Sequence, residues 1–289
     1  MRPSYSKSMP RCKRRSARTI AGGRLQGVFS RMSQALIFGG FLWLLVFYCV
    51  RVAAGEHSID GGGIYYNVSK DLDDTHGEYL RVYFDASTSD AFTFDITRLD
   101  RFDDEGTQFT VGNIHQFSER WFTQLSVAGS AGGFFWPDVR VDGSVSRRWF
   151  NDKRLVTTLG GGYFDAKDVH EDLRAYVDAA YYFERPFVLQ GGFQINISDP
   201  GSVDSTSGYV AASYVRKKSR IVSIRGGIGD QAYQAITATN FVVDFPYHSV
   251  RATWREWVGK TWGINIAAEH YSSEVYDQNG FELGFFKEF

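Results

Sequence analysis

Six histidines lie beyond residue 54: His57, His76, His115, His170, His248 and His270. A serine hydrolase needs a hydroxyl, an imidazole and an orienting group within hydrogen-bond reach. His270 with Ser272 or Ser273 is the best such grouping, and His170 with Asp168 or Asp172 is the best Asp–His pair. The plainer reading outweighs both: His270 is a polar rim residue, and the stretch around His170 is a solvated loop. No H-E-x-x-H motif or cysteine-based zinc pattern is present. The acidic runs Asp71/Asp73/Asp74 and Asp103/Asp104/Glu105 lack EF-hand spacing. Solvation accounts for them, with cation bridges to lipopolysaccharide phosphates as the alternative. No catalytic residue, metal or cofactor is therefore expected.

A larger set of charges stands out by its spacing. From Leu173 to Phe183, Leu173, Ala175, Val177, Ala179, Tyr181 and Phe183 alternate with Arg174, Tyr176, Asp178, Ala180 and Tyr182. Period two sends the two sets to opposite faces of a strand. Applied along the chain, the same rule puts Arg81, Asp85, Asp95, Arg140, Asp142, Arg148, Arg174, Asp178, Arg225, Arg251, Arg255, Glu269 and Glu282 on the face away from lipid. Charge is tolerated there only if that face is wet or paired. Two readings follow: a water-filled pore, or Arg–Asp/Glu ladders that plug the lumen, with Arg174 and Asp178 as one such pair. Tyr79, Tyr83, Tyr176 and Tyr182 on that face would suit a glycan path.

Positioning these residues takes many long strands. Alternation and turn signals predict fourteen, at 61–69, 77–86, 91–101, 106–117, 121–130, 138–149, 153–164, 172–184, 187–197, 206–216, 219–229, 246–258, 261–272 and 279–289. Twelve and sixteen are the neighbouring even counts. Alternation is poor in 106–117 and 206–216, where bulges or misassigned strands are expected. Membrane strands need about 9–11 residues, against about 5–6 for soluble ones. Short turns such as STSD, SER, ND, RP, KK and GK alternate with longer, more acidic connections, of which DQAYQAITATNFVVDF is the longest. Trp121, Trp149, Trp257 and Trp262, with Phe150, Phe183 and Phe187, flank the short turns as an interfacial girdle. The fold class is thus an all-β, antiparallel up-and-down transmembrane barrel with both mature termini in the periplasm.

The rest of the chain agrees. Of 32 Lys+Arg, ten fall in residues 1–54, which hold no acid, leaving 22 against 33 Asp+Glu in 55–289. So acidic a body would repel phosphates, and no nucleic-acid partner is expected. The apolar run ALIFGGFLWLLVFYCV (35–50), then Val52-Ala53-Ala54, reads as a signal peptide cleaved between Ala54 and Gly55. A transmembrane anchor is the alternative. The basic stretch before Met32 is long for a signal, so Met32 is a second candidate start. The domains are then a leader, 1–54, and a barrel, 55–289. Cys12 and Cys49 both fall in the leader, and Tyr48 ahead of Cys49 excludes a lipoprotein site. The mature chain has no thiol and hence no disulfide.

The chain stops on GFELGFFKEF. Glu282, Gly284 and the terminal Phe289 resemble the signal by which the outer-membrane assembly machinery recognises barrel precursors, and Lys287 departs from it. The stretches SDPGSVDSTSGYVAASYVRKKSRIVSIRGGIGDQAYQ and SVRATWREWVGKTWGINIAAEHYSSEVYDQNGFELGFFKEF, with the strand pattern over roughly 60–289, resemble the YaiO-type outer-membrane barrels. That resemblance implies a lone barrel or one behind periplasmic tetratricopeptide-like repeats, in some members similar to exopolysaccharide export barrels. It supplies no catalytic residues. No helical repeats precede the barrel here, which weighs against a scaffold role. The expected function is a non-enzymatic outer-membrane channel or export conduit for a solute or polysaccharide. A plugged structural or adhesion barrel, or a barrel lipid hydrolase, is the alternative. Outer-membrane lipid, lipopolysaccharide, the assembly machinery and an envelope polysaccharide system are the expected partners.

Overall fold

The computed structural model describes residues 56–289 other than Asp71, Ala238 and Thr239, with the side chains of 234–242 also outside the description. The expected cleavage site at Ala54 and Gly55 lies outside the described residues. Fourteen strands form: β1 (His57–Val68), β2 (Thr75–Asp85), β3 (Asp90–Arg101), β4 (Asp104–Gln116), β5 (Trp121–Gly132), β6 (Val139–Trp149) and β7 (Leu155–Asp165). They continue as β8 (Glu171–Tyr182), β9 (Phe187–Asp199), β10 (Val203–Arg216), β11 (Arg220–Thr237), β12 (Asn240–Trp257), β13 (Trp262–Ser273) and β14 (Asp277–Glu288). Each pairs antiparallel with its sequence neighbours, and β1 pairs β14 in register Gly62↔Gly284, closing the barrel. The backbone amide of Phe289 donates to the His57 carbonyl at 3.0 Å, so the seam is bonded to the last residue. Closure leaves no strand edge to be satisfied by lipid.

Side-chain polarity, rather than a buried core, holds the design together. On β8 Leu173, Ala175, Val177 and Ala179 are exposed, while Arg174, Tyr176, Asp178 and Ala180 between them are shielded. Leu159, Leu173, Val210 and Ile228 are each at least 60% exposed, with many neighbours of the same kind. In water such a surface would be an aggregation liability, whereas in a bilayer it is the lipid-facing belt. Near the turns Arg147 stacks over Trp121 at 5.2 Å and over Trp149 at 3.7 Å, and Phe150, Phe183, Phe187 and Trp262 are exposed beside them. Trp257 does not belong to this girdle. It shares the inner face with Arg255 and packs edge-on against Phe286, ring centroids 5.0 Å apart, while Trp254 is the exposed tryptophan of β12.

The proximal rim carries both barrel ends and the turns 86–89, 117–120, 150–154, 183–186, 217–219 and 258–261. The described connections at the distal rim (69–74, 102–103, 133–138, 166–170, 200–202 and 274–276) are shorter than expected. The largest difference is at 230–245, which is no loop: β11 and β12 run 18 residues each and stay paired beyond the register of their outer neighbours. β10 last meets β11 at Ser207↔Gly229, and β13 last meets β12 at Tyr247↔Ser273, so beyond those pairs the two strands are hydrogen-bonded in the sheet only to each other. Asp, Gln, Ala, Thr and Asn in this segment masked the strand signal, and backbone pairing overrode it. The bulges expected in β4 and β10 are absent, since both pair without a shift. Small Gly, Ser, Thr and Ala side chains tolerate either face, so poor alternation there did not mean broken hydrogen bonds. The register shift lies instead between Ala235 and Thr237.

Candidate functional site: the barrel lumen

Two unlike walls make the interior. Along β12–β14 and β1–β3 the charges are spent on one another. Arg251 reaches Glu269 at 2.5 Å and Glu282 at 2.7 Å, and the Tyr66 hydroxyl donates to Glu282 at 2.9 Å. Arg255 reaches Asp60 at 2.9 Å and donates to Asn265 at 3.2 Å, with its guanidinium 3.6 Å from the centroid of the fully buried Phe286 ring. Arg81 pairs with Asp95 at 2.7 Å. Asp85 accepts from the Tyr83 hydroxyl at 2.6 Å and from the Glu56 amide at 2.9 Å. Tyr79 is buried over Gly62 and Gly284. This half is packed and cross-linked.

The wall made by β4–β12 is hollow. Three adjoining cavities of about 410, 320 and 240 Å³ line it and share Asp142, Arg174, Tyr176, Gln194 and Tyr247 between them. Asp142 accepts from Arg140 at 2.6 Å and from Arg174 at 2.5 Å. Arg174 can reach Asp142 because Gly162 stands between them in the ladder and has no side chain to intervene. The anticipated Arg174–Asp178 pair is therefore not made. Asp178 lies over Gly192, next to Tyr209. Arg225 sits 3.6 Å over the Tyr209 ring. Arg148 donates to the Glu119 carbonyl at 2.9 Å and stacks over Phe122 at 4.7 Å, near the proximal rim.

The distal rim is partly covered. Val68, Phe102 and Tyr276 are buried together, with Leu72, Phe134, Tyr271 and Val275 against them. On the other side the 166–170 connection folds inward. His170 is buried with its ring stacked 3.6 Å from that of Tyr233, and Asp168 accepts from the Tyr233 hydroxyl at 2.5 Å and from the His170 amide at 2.9 Å. Burial alone would raise the Asp168 pKa, but the hydrogen bonds from Tyr233 and His170 outweigh it and hold the carboxyl below the usual range. This segment is thus a latch onto β11, not the solvated loop anticipated. His270 meets Asn279 at 2.7 Å and the Ser272 hydroxyl donates to Asp277 at 2.6 Å, so the two are partnered elsewhere. Asp74 accepts from Tyr65, Asn67 and the Val68 amide, Asp104 accepts from the Phe134 amide, and Glu105 pairs with Arg98. Among the described residues, no group of three metal-ligating side chains converges.

Sequence reasoning missed Asp60, which lay ahead of its first strand, although Asp60 has the same parity as the inward Tyr66. It also missed Tyr209, Gln194, Tyr247 and Ser249, which line the cavities. Polar and aromatic residues at alternate positions were the available signal.

A closed fourteen-stranded barrel with an apolar belt outside and paired charges inside defines an outer-membrane β-barrel protein. A model of the YaiO membrane beta barrel domain matches residues 57–234, and the chain belongs to that family. The match takes in the first of the two stretches quoted above and stops short of the second. Among solved structures the chain is similar to the CymD monoaromatic hydrocarbon channel, with TM-score 0.56, 6% identity, and 81% of this chain and 88% of that one covered. A bacterial polysaccharide outer membrane secretin gives TM-score 0.50, 8% identity and coverage of 81% and 98%. The outer membrane protein Omp33 of Acinetobacter baumannii gives TM-score 0.50, 11% identity and coverage of 81% and 99%. At such identities the likeness is one of fold. No curated protein matches the chain in sequence.

Proposed function

We propose that the barrel is a non-enzymatic channel or export conduit for a polar solute or polysaccharide. In this reading its leader is removed after Ala54 and both mature termini face the periplasm. The observation that carries it is the hollow wall. Charged and hydroxyl-bearing side chains line adjoining cavities there, and the ladder on the packed wall does not cross to fill them. The thirteen charges anticipated from parity serve as the lumen lining in this account. Glu282, Gly284 and Phe289 serve as the mark read by the assembly machinery, and lipopolysaccharide surrounds the distal rim. The same architecture serves a hydrocarbon channel and a polysaccharide secretin, so passage is within its reach. Liposomes carrying the folded barrel should swell in small sugars and not in large dextrans. Equal swelling with and without protein would refute the proposal.

A second reading, a plugged structural or adhesion barrel, is favoured by the apolar cluster of Phe102, Phe134 and Tyr276 at the distal rim. It predicts no swelling with any solute. The hydrolase reading finds less support, because His270 and Ser272 are bonded to other partners.

A further inference from the structure

We propose that the 320 Å³ cavity is a subsite for one acidic pyranose of a glycan, with the sugar ring on Tyr176 and its carboxylate on Arg225. The inference rests on the conduit reading and adds the class of ligand. Two tyrosines pave the wall. Tyr176 stands directly across the ladder from Gly160, and Tyr209 directly across from Gly192. A Cβ at either glycine would run into the facing ring, so both rings lie flat against the backbone. The second face of Tyr209 is taken by the Arg225 guanidinium at 3.6 Å. Tyr176 lines both the 320 Å³ and the 240 Å³ cavities, and the Arg174 guanidinium, 5.4 Å from its ring centroid, flanks the part of the ring that borders them. A flat aromatic ring at the edge of a wet cavity matches the C–H face of a pyranose.

Arg225 supplies the charge preference. Arg81, Arg140, Arg174, Arg251 and Arg255 each hold a carboxylate of the barrel. Among the described residues Arg225 has no carboxylate within salt-bridge distance, and it is exposed to the cavity. Its stack on Tyr209 fixes the plane and leaves the N–H fork for a planar anion, which a carboxylate satisfies with two parallel bonds. Asp178, Gln194 and Ser249 lie around the same space and suit the hydroxyls of the sugar. The volume is at the small end of ligand sites, as fits one sugar unit of a passing chain.

The test is calorimetric titration of the full barrel, folded in detergent micelles, with a hexuronic acid trimer, a glucose trimer and acetate. The hexuronate should bind about tenfold more tightly than the glucose trimer, a difference on the scale of one charge-assisted contact. Arg225→Gln should erase that preference, and Tyr176→Ala should weaken both sugars, with heat-modifiable gel mobility confirming that each variant folds. Equal binding of the two trimers, or a preference that survives Arg225→Gln, would overturn the proposal. So would acetate binding as tightly as hexuronate with Tyr176→Ala silent, which marks a simple anion site. Micelle binding does not require an open pore. Conductance without hexuronate binding therefore removes the subsite alone, and hexuronate binding without conductance removes the conduit reading.

Discussion

At the scale of single residues, the interior runs on shared acceptors. Asp142 serves Arg140 and Arg174, so Asp142→Asn leaves two guanidinium groups in one cavity without their carboxylate. Water in the cavity screens part of that cost, and a loss of about 1–2 kcal/mol in urea unfolding from vesicles is expected. Asp178→Asn, with no ion pair to break, should cost less than about 1 kcal/mol. Arg251→Gln should cost about 3 kcal/mol, because Glu269 and Glu282 then face each other without a cation. Asp168 gives a pH signature. Its folded pKa lies below the unfolded one, near 3.9 for a free Asp, so the latch gains its stability above that value and loses it as pH falls through the depressed folded value. Exchange protection of the His170 amide, corrected for intrinsic rate, should fall as pH drops below about 4. Parity separates the charged set from the apolar belt along β8. Which of the charges pair was not legible, because the Arg174 bond to Asp142 depends on a glycine, Gly162, in the strand between the two partners.

At the scale of elements, β8 is the clearest case. Its period-two pattern stood in the sequence, and the exposed positions Leu173, Ala175, Val177 and Ala179 follow it. Val177→Arg should cost about 2–4 kcal/mol, the range for arginine on the lipid face near the midplane. Ala180→Arg, on the inner face, should fold near the wild-type level. In the barrel segment, residues 55–289, which contains no cysteine, single cysteines at Val177 and Asp178 give a clean readout. A water-soluble thiol reagent should label Asp178→Cys and spare Val177→Cys in vesicles. The reverse would mean that the strand is assigned inside out. β11 and β12 were harder to read. Their outer parts pair only with each other, so no flanking strand on either side marked the segment as sheet. Trp257 was misplaced for a related reason. Nearness to a turn suggested the girdle, but parity with Arg255 decided its direction.

At the scale of the whole molecule, fold class, strand count and family could be read from alternation, turn spacing and the terminal strand, because a barrel repeats one rule fourteen times. The division of the lumen into a packed and a hollow wall could not, since it depends on which side chains meet across closed neighbours. The last strand is tied on both sides: across the seam the Phe289 amide bonds to His57, and towards β13 Lys287 donates to the Thr261 hydroxyl at 2.7 Å. Deleting Phe289 should lower the folded, heat-modifiable fraction in the outer membrane, and an unchanged yield would show that the terminal residue is not read during assembly. The central claim is that the hollow wall gives a water-filled path through the barrel. Single-channel recording of the purified, folded protein in planar bilayers tests it most directly. Discrete, ion-carrying openings are expected, with a selectivity that shifts toward cations in Arg225→Gln. A barrel that inserts fully folded and passes no current at any voltage would contradict it.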